Sequence, residues 1–127
     1  MSIDKENVNK VTEQIINAAF AVSNALGNGF LEKVYENSLC IELKKRNIRF
    51  DQQKPVNVYY GDEVVGEYYA DLLVEDIVVV ELKTVNRIAE MHEAQLIHYL
   101  KATNKKIGLL LNFANPKLEI KRMVNDL

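Results

Sequence analysis

Residues 69–83 read Tyr-Ala-Asp-Leu-Leu-Val-Glu-Asp-Ile-Val-Val-Val-Glu-Leu-Lys. The stretch has the form of two apolar strands joined by a short acidic turn. Asp71, Glu81 and Lys83 lie inside runs that otherwise look like core. Burying a charge is costly unless it is paired or binds an ion. Glu81 and Lys83 are two residues apart on one strand, so they point to the same face. Whether Asp71 joins them depends on the turn. A two-residue turn at Glu75-Asp76 pairs Asp71 with Val80 and turns it away. A three-residue turn over Glu75, Asp76 and Ile77, or a single bulge, sets Asp71 against Glu81. A shared site therefore requires an odd-length turn or a bulge.

Period and punctuation give the surrounding elements. Val8, Val11, Ile15, Ala18, Val22 and Ala25 recur at helical spacing and predict a helix from about Ser2 to Leu26, ended by Gly27-Asn28-Gly29. A second helix is expected from about Leu31 to Arg46, with Leu31, Val34, Tyr35, Leu39 and Leu43 on its apolar face. Val56, Val58 and Tyr60 alternate with polar and aromatic neighbours, which suggests a strand. Pro55 puts the start of that strand near an edge or a bend. After a turn at Gly61-Asp62-Glu63 come the strands Val64 to Val74 and Ile77 to Thr84. A third helix follows from about Ile88 to Thr103, with Ile88, Met91, Leu96, Tyr99 and Leu100 apolar. The run Ile107 to Phe113 suits a strand covered on both faces, and Leu118 to Val124 an edge strand. The order implies an α/β (α+β) mixed sheet. Three antiparallel strands are extended by a fourth, parallel one, reached through a right-handed helical crossover.

The chain has 127 residues, enough for one domain, residues 1–127, with one real core. No apolar run approaches the ~20 residues of a membrane helix, and the first residues lack a signal-peptide core, so no membrane is expected. Cys40 is the single cysteine and points to a reducing, cytoplasmic setting. It reads as a small buried hydrophobe. The net charge of −2 supplies no global basic field. Nucleic-acid binding must rest on local clusters such as Lys105, Lys106, Lys121 and Arg122, provided they lie on the active face. His92 and His98 have no cysteine partners, which argues against zinc.

Two adjacent carboxylates repel and raise each other's pKa unless a cation lies between them. Oxygen donors suit Mg²⁺ or Mn²⁺. Lys83 would stand beside a metal-activated water, orient it and neutralise developing charge. Glu32 could approach from the second helix. Gln95 and Tyr99, four apart on the third, share a face. Taken alone, Glu81 and Lys83 could equally be an exposed strand pair of little energetic value.

The ordered set resembles the PD-(D/E)XK nuclease superfamily, and within it the GxxExxY proteins. That motif reads here Gly29-Phe-Leu-Glu32-Lys-Val-Tyr35. The likeness continues through Tyr69-Ala-Asp71, Val80-Glu81-Leu82-Lys83, Ala94-Gln95-Leu-Ile-His-Tyr99 and Gly108-Leu-Leu-Leu-Asn112-Phe113. The superfamily's proline before the aspartate is Ala70 here, and Ala114 stands where a glycine is expected. The resemblance implies a restriction-endonuclease-like core. Asp71, Glu81 and the Leu82 carbonyl would bind Mg²⁺ or Mn²⁺, and Lys83 would position the water. Glu32 would assist, and Gln95 with Tyr99 would complete the pocket. The implied substrate is nucleic acid, DNA in the first instance. A domain this small makes few phosphate contacts, so a homodimer would help it grip a duplex. The alternative is an inactive nuclease-like module that binds nucleic acid or serves in protein assembly.

Overall fold

A computed structural model describes residues 5–125; Ser2 to Asp4, where the first helix was expected to begin, lie outside them. The elements run α1 (Lys5–Leu26), α2 (Glu32–Lys45), β1 (Phe50–Tyr60), β2 (Glu63–Val74), β3 (Val78–Lys83), α3 (Glu90–Thr103), β4 (Ile107–Asn112) and β5 (Glu119–Val124). The strands form one sheet in the order β1-β2-β3-β4-β5. Only β3 and β4 pair in parallel, bridged by α3; the other three pairings are antiparallel. The expected meander and crossover are both present.

Two clusters of apolar side chains cover the two faces of the sheet. On one face α1 and α2 pack Val8, Ile15, Tyr35 and Leu39 against Leu72, Val80, Leu82, Leu109 and Leu111. On the other, Leu96 and Leu100 of α3 pack against Leu73, Val79 and Leu110. All six β4 residues are buried, as a doubly covered strand requires. Gly108 lets α3 approach closely, since a Cβ there would meet Leu96 Cδ2 at 2.9 Å.

Three features depart from expectation. The buried stripe of α1 takes in Ala19 and Ser23 and leaves Ala25 exposed. In α2 the stripe is rotated: Leu31 and Val34 are exposed, while Glu36 and Cys40 are buried. Glu36 is held inward by hydrogen bonds from Lys33 and from Gln52 and Gln53 of β1. Strand β1 begins at Phe50, well before Val56, so Pro55 lies mid-strand. The edge half of the Pro55 reading holds: β1 is the outermost strand, where a missing N–H breaks no ladder on the solvent side.

Candidate functional site

The β2–β3 turn has three residues. Val74 faces Val78, Leu73 faces Val79 and Leu72 faces Val80. Glu75, Asp76 and Ile77 make the loop, with Glu75 and Asp76 both left-handed (φ 53° and 57°). The Ile77 N–H closes it on the Val74 carbonyl at 2.9 Å. One more step in this register sets Asp71 against Glu81, which is the odd-length arrangement that a shared site requires.

The ladder stops before that step is taken. Face alternation along β2 also slips there, since Leu73, Ala70 and Tyr68 all join the α3-side cluster although Leu73 and Ala70 are three residues apart. Asp71 therefore lies at the point where β2 and β3 separate. Its Oδ2 accepts a hydrogen bond from the Leu82 N–H at 2.9 Å, taking the place of a strand partner. The N–H and C=O of one strand residue point to the same side. The Leu82 carbonyl thus faces the same gap.

Glu81 is 8% exposed, and its Oε1 has no hydrogen-bond partner among the described residues. Burial pushes its pKa up to about 8; Lys83 and the Asp71 backbone N–H pull it down, while Glu32 and Glu36 push it further up. Burial also raises Asp71, against the pull of the Leu82 N–H. Glu32 is exposed at the N-terminus of α2; its pKa is raised by partial burial first and by Asp71 next. Its proximity to Asp71 and Lys83 brings it to this gap.

The GxxExxY stretch folds to deliver that glutamate. Gly29 takes φ 110°, open to glycine alone without strain. The Tyr35 hydroxyl donates to the Gly27 carbonyl at 2.7 Å and accepts from the Phe30 N–H at 3.2 Å. The Tyr35 ring stacks on Phe113 with centroids 4.7 Å apart. The α1–α2 loop is thereby pinned, and Glu32 follows it at once.

Lys83 ends β3, and its carbonyl accepts from the Phe113 N–H at 3.0 Å. The loop after it is held by Asn112, which is fully buried. Asn112 Oδ1 accepts from the Val85 N–H at 3.1 Å, and Nδ2 donates to the Val85 carbonyl at 2.8 Å and to Glu119 at 2.9 Å. On α3, Tyr99 stacks on Tyr68 at 3.4 Å; its pKa is raised by burial and then by Glu81. Gln95 is exposed, and its side chain makes no hydrogen bond among the described residues. Two of the basic residues weighed as phosphate contacts are engaged elsewhere, while Lys121 lies two strands across from Glu81 in the same row of the sheet. Lys105 is tied to Asp76 at the opposite end of β3 (3.1 Å), and Arg122 turns to Asn9 of α1 (2.8 Å).

Two participants were not anticipated. Glu36 is 3% exposed and accepts from Lys33 Nζ (3.0 Å), Gln52 Nε2 (2.6 Å) and Gln53 Nε2 (3.1 Å). Burial pushes its pKa up, but these hydrogen bonds prevail and hold it below the usual range. The Gln53 amide also donates to Asp71 Oδ1 at 3.3 Å. One signal existed for Glu36, its position one turn after Glu32. None existed for Gln53.

The residues fit a divalent cation. An orphaned, buried carboxylate oxygen is costly, and a cation would satisfy it. Among the described residues no three His, Cys, Asp or Glu side chains are gathered into a group that could hold a metal. Mg²⁺ does not need such a cage, because it is commonly held by one or two carboxylates with several waters retained. Asp71, Glu81 and the Leu82 carbonyl could supply the protein ligands, with Glu32 at the mouth.

A helix-flanked mixed sheet with acidic residues and a lysine where its central strands part defines a restriction-endonuclease-like fold. The chain belongs to the PD-(D/E)XK nuclease superfamily, whose sequence profile matches residues 9–123. A solved structure, that of SSO0001, is similar in fold, with a TM-score of 0.57 at 20% identity. The likeness covers 94% of this chain and 59% of that one, so this chain spans under two thirds of the length of SSO0001. No curated protein matches the sequence. No helix among the described residues is long and apolar enough to cross a membrane.

Proposed function

We propose that the protein is a metal-dependent nuclease that hydrolyses phosphodiester bonds in nucleic acid, DNA in the first instance. The observation that carries this reading is the unpartnered Glu81 oxygen, buried beside Asp71 and Lys83 where β2 and β3 separate. Asp71, Glu81 and the Leu82 carbonyl would hold Mg²⁺ or Mn²⁺, which when bound would supply a water of lowered pKa and offset charge on the scissile phosphate. Lys83 orients that water through its ammonium and steadies the developing negative charge. Glu32 accepts a proton or holds an outer water at the mouth. Gln95, exposed and with no hydrogen bond from its side chain, donates its amide to a phosphate oxygen. Tyr99, braced by Tyr68, forms the α3 wall.

The test is incubation of the purified chain with single- and double-stranded DNA and RNA, with Mg²⁺, Mn²⁺ or EDTA. Cutting that needs the metal and disappears in Lys83→Ala supports the reading. Cutting that survives this substitution comes from a contaminant and sinks it. The same fold supports a second reading, a non-cutting module that binds nucleic acid or a protein partner. It draws on Lys105 and Arg122 being engaged away from the gap. A metal-independent mobility shift without cleavage favours it. A cytoplasmic homodimer would double the phosphate contacts available to so small a chain, and light scattering that gives a monomer removes that part.

A further inference from the structure

We propose that Gln53 is a positioning residue for the metal ligand Asp71, and that β1 keeps a left-handed residue in mid-strand in order to hold it there. The inference rests on the metal reading above. Gln52 pairs with Leu72 and Lys54 with Ala70 in regular register, yet the intervening pair, Gln53 and Asp71, drops out of the ladder. Gln53 has φ 54°. Strand residues have negative φ, and glutamine, unlike glycine or asparagine, has no tendency to leave that region. The departure points its side chain at two carboxylates.

The hydrogen bonds explain what the departure accomplishes. Gln53 Nε2 carries two hydrogens. One is directed at Glu36, whose oxygens lie at 3.2 and 3.1 Å, and the other at Asp71 Oδ1, at 3.3 Å. Glu36 is itself fixed by Lys33 and Gln52. A flipped amide would set its oxygen against two carboxylates, so Glu36 enforces the orientation that donates to Asp71. With Gln53 on Oδ1 and the Leu82 N–H on Oδ2, each Asp71 oxygen is held by one donor and retains a further lone pair. The carboxylate cannot swing toward solvent, and those lone pairs stay in the gap beside Glu81. Outer hydrogen bonds of this kind commonly set metal affinity.

A merely structural role and a positioning role predict different things for Gln53→Gly. Glycine accepts the backbone conformation without strain, and Lys33 and Gln52 still hold Glu36, so the variant folds with a melting temperature close to that of the native chain. Calorimetric titration of the full chain with Mn²⁺ is then expected to show affinity about 10- to 100-fold weaker. Gln53→Asn tolerates the same backbone but is one methylene too short to span both carboxylates, and it shows the same loss. Native-like Mn²⁺ affinity in either variant overturns the proposal. So does a parallel fall in stability and affinity in Gln53→Gly, which marks a structural role. A native chain that takes up no Mn²⁺ sinks the metal reading itself, and the native titration alone reveals that outcome.

Discussion

The Asp71 carboxylate stands in for a β-strand: its Oδ2 accepts the Leu82 N–H at 2.9 Å where the β2–β3 ladder has already ended. The same side chain therefore satisfies the main chain and faces the proposed metal. Asp71→Ala leaves a buried N–H unpaired and should cost about 1–3 kcal/mol. Asp71→Asn keeps an acceptor for Leu82 while setting its amide against Gln53, and should cost less. Both lose Mn²⁺ binding. Urea unfolding of the metal-free proteins gives the order; equal stability of Asp71→Ala and the native chain would show that the cap contributes nothing.

Glu81 sets a pH dependence of the metal-free protein. Its ordinary value is 4.5 and its folded value about 8. Between these the unfolded chain releases the proton while the folded chain keeps it, so stability falls as pH rises through this window and levels off above it. Facing groups contribute in both directions: Glu32 and Glu36 from α2 and Tyr99 from α3 surround the carboxyl, and Lys83 opposes them. Glu81→Gln should remove this loss and raise stability at pH 8 by on the order of a few kcal/mol. Melting curves of both proteins at pH 5 and pH 8, in EDTA, should show the gap between them opening as pH rises.

Tyr35→Phe removes one hydroxyl from two main-chain partners, the Gly27 carbonyl and the Phe30 N–H. The ring and its stacking on Phe113 remain. A loss of about 1–2 kcal/mol is expected, with faster hydrogen exchange at the Phe30 amide. Unchanged exchange there would mean that the loop is held by other contacts.

Cys40 should be inert. Burial, and after it the Glu36 charge, pushes its thiol up to about 11. The thiolate is the reactive form, so a disulfide-exchange reagent at pH 8 should label the unfolded chain quickly and the folded chain hardly at all. Rapid labelling of the folded protein would place Cys40 at the surface.

The fold was legible because its signals are local. Periodicity located the helices, and the six-residue β4 run announced burial on both faces. The hairpin register reduced to counting turn residues, and the three-residue turn runs toward Asp71 facing Glu81, although the ladder itself ends at Leu72 and Val80. What stayed hidden depends on tertiary contacts. The seam of α2 was misread because Glu36 is held inward by donors 16 and 17 positions away, Gln52 and Gln53. Gln53 fell outside the strand expected around Val56, and a left-handed backbone angle leaves no mark on a glutamine. The Asn112 bonds to Val85 span 27 positions and follow no period. The basic run at Lys105 was weighed as a phosphate contact, yet its partner Asp76 belongs to the far turn.

Pro55 has one more consequence. Strand β1 forms one margin of the sheet and runs for 11 residues, with Tyr59, Tyr60, Val64 and Val65 exposed along its hairpin. A long, unpaired strand margin of this kind is a template for growth by strand addition. The proline withholds a donor midway along it, and the left-handed kink two residues earlier interrupts its straight run. At the opposite margin, β5 presents Lys121 and Arg122. The kink that turns Gln53 toward Asp71 thus also helps keep the chain from polymerising.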